Sequence, residues 1–88
     1  MIDPESEETQ WVMVVWHDIT GNDQPWMDRD EAEELKPAII MSVGTVVNET
    51  EVFITIAGSM GIEGELGNVN CIPKAVVVRQ VELWPRQI

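Results

Sequence analysis

The chain is expected to be mainly β: a small, five-stranded, bent antiparallel barrel with one short helix between strands 1 and 2. Three features predict it. Residues 42–57, from Ser42 to Ala57, read as strand, tight turn, strand. Cys71 to Leu83 reads as a short strand, a kink at Pro73 and a second strand. Between them, Gly58, Gly61, Gly64 and Gly67 break the pattern. The 88 residues make one domain. A domain of this size buries only about 60% of its unfolded surface, so pairing through free strand edges would add stability.

The elements follow in order. Residues 1–10 are polar and acidic and are expected to form a flexible arm, leaving 11–88 as the single β-barrel domain. Trp11 to Asp18 is the first strand. Trp11, Met13, Val15 and His17 share one face, and Val12, Val14, Trp16 and Asp18 the other. Both faces are largely apolar, which predicts cover on both sides by a helix or a second subunit. Residues 20–25 carry turn chemistry. A helix of about two turns follows. Asp28 is its N-cap, Glu31 completes a capping-box pattern, Lys36 lies in its last turn, and Pro37 stops it. Trp26 and Met27 are expected to pin it to the barrel. Ala38 to Val47 is the second strand, with a bend or bulge at Gly44. Residues 48–51 turn the chain into a third strand over 52–57. Asn68 to Ile72 is the fourth strand and Ala75 to Leu83 the fifth.

Charge is unevenly placed. Residues 1–34 hold eleven acids and one base, a net of −10; residues 35–88 hold five acids and four bases, a net of −1; together they give −11. Direct nucleic-acid binding is disfavoured, because phosphate neutralisation needs clustered Lys and Arg. The acidic third reads either as a solubilising coat or as a mimic of nucleic-acid charge aimed at a host protein. The lone Cys71 excludes an intrachain disulfide. The chain opens without a signal-peptide pattern, and its apolar stretch from Ala38 to Val47 is too short for a membrane helix. A soluble protein of the cytoplasm is expected, with no membrane partner.

Residues 38–83 resemble the Sm-like and SH3-like barrels. Val43-Gly44-Thr45-Val46, the acidic turn Glu49 to Glu51, and Ile72-Pro73-Lys74-Ala75-Val76 before the last strand carry the likeness. It implies ring-forming through edge strands. The acid–Asn turn signature and the basic rim of the Sm group are missing, and the helix lies after the first strand. The whole chain also resembles small uncharacterised proteins of tailed bacteriophages. Val14-Val15-Trp16-His17-Asp18, Trp26, Glu31-Ala32-Glu33-Glu34-Leu35-Lys36-Pro37, Val43-Gly44 and Ile72-Pro73 match their pattern. That likeness implies a viral accessory protein acting in the host cytoplasm.

No enzyme is expected, and no cofactor. His17 and Asp18 are strand neighbours facing opposite sides, so they do not form a general-base pair. His17 and Cys71 lack the spacing of a zinc site. Cys71 reads as a small buried hydrophobe. The candidate ligand-binding residues are Trp16, Asp18, Trp26, Lys74 and Arg79. The tryptophans offer stacking faces, and the cations would meet an anion. Arg79 lies between Val77 and Val81, on a face expected to be buried, and so calls for an acidic or phosphate partner. The leading expectation is a homo-oligomer that holds a small anionic ligand such as a nucleotide immune signal. The alternative is an acidic inhibitor that docks on a host nucleic-acid-binding protein.

Overall fold

The computed structural model describes residues 9–83. Five antiparallel strands form one sheet in the order β4-β3-β2-β1-β5. They are β1 (Trp11–Asp18), β2 (Ala38–Glu49), β3 (Phe53–Met60), β4 (Leu66–Pro73) and β5 (Val77–Leu83). A short helix, α1 (Arg29–Glu33), lies between β1 and β2, and a 3-10 turn (Lys74–Val76) joins β4 to β5. Among the described residues no ladder joins β4 to β5, so the sheet is open along that seam.

The long strand β2 organises the rest. Its first part, Ala38 to Thr45, pairs with β1, and Thr45 to Glu49 pairs with β3. The handover falls at Gly44, where a Cβ would lie 2.6 Å from the Ala57 carbonyl oxygen. Only glycine lets two backbones come this close. Gly44 thus marks a close backbone approach, and the ladder's bulge lies further on, between Val46 and Asn48. The Gln10 carbonyl braces this stretch, accepting from the Val46 amide at 2.8 Å and from Thr45 Oγ1 at 3.1 Å. Thr9 is buried beside it.

One face of the sheet holds the core. Val12, Val14, Ile54, Ile56 and Ile72 form it, with Trp16, Val46, Val76 and Val77 packed against them. The β1 pattern explains the sidedness: Val12 and Val14 are fully buried, and Trp11, Met13 and Val15 between them are half-buried on the outer face.

Several local expectations need correction. Helix α1 spans five residues, buries none of them, has no side-chain cap bond from Asp28, and ends before Lys36. A helix this short has too few backbone bonds to stand on propensity, and no packed face supports it. Trp26 does not pin it, being 89% exposed. The glycine-rich break is shorter than expected, because β3 runs through Gly58 to Met60 and β4 begins at Leu66. Gly64, at φ 99°, makes the tight turn between them. Cys71 is exposed, since its position on β4 faces away from the core side marked by Ile72. Arg79 is exposed as well. A register shift between Val15 and Trp16 on β1 places Val77 opposite Trp16 on the core side and Arg79 opposite Val15 on the outer side. Trp84, expected to close the last strand, lies outside the described residues.

The close approach at Gly44 makes a specific demand. Gly44→Ala is expected to cost about 1–3 kcal/mol, the usual range for overpacking, because the obstructing atom is backbone. Urea unfolding followed by circular dichroism checks this. An unchanged midpoint would mean that β2 can move away from Ala57.

Candidate functional site

The five sequence-predicted residues lie on four parts of the fold: β1, the 19–37 connection, the 3-10 turn and β5. Trp16 is half-buried on the core side, and its Nε1–H donates to Ser42 Oγ at 3.0 Å. Register explains the pair: Trp16 stands opposite Ile40, so Ser42 is the next β2 residue on the same face. Asp18 closes β1, and its carboxylate accepts from the Ile19 amide at 2.8 Å. Trp26 stands in the 19–37 connection with its ring in solvent.

Lys74 opens the 3-10 turn. Its amide donates to the Val52 carbonyl at 2.8 Å, and its Nζ lies 2.7 Å from Glu49 Oε2. Gln80 Nε2 of β5 donates to the same Glu49 oxygen at 3.4 Å. Glu49 thus links the end of β2 to β5 and to the turn that spans the open seam. The hydrogen bond from Lys74 holds the Glu49 carboxyl below its usual range; partial burial opposes this, and Gln80 and the Lys74 charge support it. Both side chains are about one-third exposed, so the pair contributes only about 0–1 kcal/mol. Its larger consequence is chemical. The Lys74 charge is already neutralised, so an anion would have to displace Glu49 to use it.

Arg79 is on the outer face, away from Trp16 and its neighbours. The structure therefore does not bring Trp16, Lys74 and Arg79 together around one ligand. Among the described residues, no group of three His, Cys, Asp or Glu could hold a metal ion. No helix among them is long and apolar enough to cross a membrane.

Sequence reasoning missed Ser42, Glu49 and Gln80. Ser42 left a signal, a hydroxyl inside the apolar run from Ala38 to Val43. Glu49 and Gln80 left none, because their meeting depends on bulges in two ladders.

The connection between β1 and β2 is exposed along nearly its whole length. Residues 19–37 carry six acids (Asp23, Asp28, Asp30, Glu31, Glu33, Glu34) against Arg29 and Lys36, a net of −4. Ile19 is 90% exposed and Leu35 is 42% exposed, in addition to Trp26. The connection is tied at its base by Thr20 Oγ1, which donates to the Lys36 carbonyl at 2.7 Å.

Because its folded-state value is depressed, Glu49 contributes stability that is present above the ordinary carboxylate range and lost as pH falls through the depressed value. Glu49→Gln is expected to reduce stability at neutral pH and to leave it unchanged in strong acid. Urea midpoints of wild type and variant across an acid pH series should converge downward. Parallel curves would show that the Lys74 bond does not act on Glu49.

No protein family, curated protein or solved structure matches the chain.

Proposed function

We propose that the chain is a non-enzymatic interaction protein whose 19–37 connection docks on a basic surface of a partner protein. The exposed Trp26 in a segment of net charge −4 carries this reading. A folded chain gains nothing by holding an indole ring in water, whereas interfaces are enriched in tryptophan, and aromatic anchors dominate binding energy. The surrounding carboxylates would steer a basic partner and speed its arrival. Helix α1, which buries no side chain, and the exposed Leu35 beyond its C-cap are free to pack against that partner.

The resemblance to tailed-phage proteins extends the proposal. It makes the chain an accessory protein of anti-defence type and the partner a host protein whose basic surface holds nucleic acid. We also read the sheet as a bent barrel of the Sm-like or SH3-like kind. Sharing of β2 between two partners, and the reach of Gln80 across to Glu49, support that curvature. The small-anion reading rests on Lys74 with Glu49 displaced, and the same experiment tests it.

Photo-crosslinking from position 26 in bacterial lysate would identify the partner, and titration of the purified pair would follow. Trp26→Ala and the triple change Glu31→Gln, Glu33→Gln, Glu34→Gln are each expected to weaken binding at least about 10-fold. Added salt should weaken it further. Binding that ignores both variants removes the connection from the interface. A nucleotide mass carried by the protein in native mass spectrometry, and lost with Lys74→Met, would favour the small-anion reading.

A further inference from the structure

The outer face of β1, β2 and β5 is apolar and free of acids, and away from its buried Trp11–Thr45 end it is exposed on β2. Two cross-strand rows define it: Val81–Met13–Val43 and Arg79–Val15–Met41. On β2, Ile39 is 68% exposed, Met41 65% and Val43 53%. The core lies on the opposite face, and α1 covers none of this one. The chain has 16 acids, yet every position of β1, β2 and β5 that registers with these rows on this face is uncharged, His17 or Arg79.

We propose that this face is covered by a second copy of the same chain, packed sheet against sheet. Charge selects the occupant. Two copies of net charge −11 repel one another wherever acids meet. The acid-free outer face is a surface through which they can approach without that cost. A basic protein would be drawn to the carboxylates elsewhere and repelled by Arg79. A nucleic acid would find too few cations here. A second copy supplies an equally apolar, acid-free surface, and twisted sheets pack face to face through such surfaces. Arg79, on edge strand β5, has no ion pair among the described residues. The pairing also supplies the second cover that the two-sided apolar pattern of β1 requires. It is independent of the 19–37 connection.

Sedimentation velocity of the full chain from about 1 to 300 μM tests this. Wild type is expected to sediment as a dimer at the upper end. The double change Met41→Lys, Val43→Lys lowers net charge from −11 to −9, so general repulsion falls. Dissociation is nevertheless expected to become at least about 100-fold easier, because buried ammonium groups would lack partners. Met41→Ser is the milder variant should the double change unfold, and circular dichroism reports the fold of each. Ile62→Lys, at an 84% exposed site in the β3–β4 turn, should leave the dimer intact. A wild-type monomer throughout, or a dimer unmoved by either outer-face variant, overturns the proposal. So does a larger ring that the Lys changes do not weaken, which would place association at the strand edges. Trp26→Ala should leave the sedimentation unchanged whatever its effect on partner binding.

Discussion

The close approach of β2 to the Ala57 carbonyl at Gly44 is the constraint on which the rest of the structure depends. Antiparallel ladders in a small domain leave edges, and edges need either cover or closure. One strand, β2, pairs with β1 up to Thr45 and with β3 from Thr45 onward, and Gly44 lets it come close to Ala57 at the handover. The sheet curls toward the side carrying Val12, Val14, Ile54, Ile56 and Ile72. The Gln80–Glu49 bond then joins β5 to β2 across the intervening β1, while the Gln10 carbonyl extends the pairing of β1 with β2. These polar bridges are individually small. They fix how far the curl goes, while burial of five aliphatic side chains supplies the stability.

Curling toward one side leaves the other side with apolar residues and no element to cover them. Among the described residues the one α-helix, α1, buries none of its side chains. The two tryptophans of β1 show the contrast. Trp16, on the core side, has a hydrogen-bond partner in Ser42; Trp11, on the outer side, has a buried Nε1–H with none among the described residues. A buried donor without a partner costs about 1–3 kcal/mol, which marks the outer face as the less completed half of the fold.

Much of the fold was legible in the sequence where one period dominates. The alternation of β1 gave its bounds and the assignment of Trp11 and Trp16 to opposite faces, and Gly44 marked the point where β2 passes from β1 to β3. What was not legible depends on register. Arg79 shares parity with Val77 and Val81, so a regular strand would place all three on one face. A single shift opposite Val15 and Trp16 separates Val77 from the other two. The same kind of shift between Val46 and Asn48 puts Glu49 on the side of Ile54 and within reach of Lys74. Bulges arise from the twist and closure of the whole sheet, and local composition does not encode them. The helix was legible in its place and in its N-cap Asp28, but it is shorter than the two turns expected, for another reason. Asp28, Glu31 and Pro37 are sound helix punctuation, but a capping pattern adds little where no apolar face is packed. The candidate site divides accordingly: Trp26 was legible as a loop aromatic, whereas the neutralisation of Lys74 by Glu49 was not.

The two exposed features constrain one another. The 19–37 connection, of net charge −4, leaves the sheet at the end where His17 pairs with Ile39. Two sheets packed through their outer faces can run with these ends together or opposed. Together, the connections bring two sets of carboxylates into proximity, and at about 8 Å screening length that repulsion is felt at close range. Opposed, the connections project from opposite ends of the pair and each keeps Trp26 in solvent. Repulsion between the connections therefore favours the opposed arrangement, the one whose two-fold axis runs across the strands. In that arrangement a dimer presents two acidic, aromatic-bearing segments pointing apart. It can engage two basic surfaces at once, gaining avidity where a partner is itself multimeric.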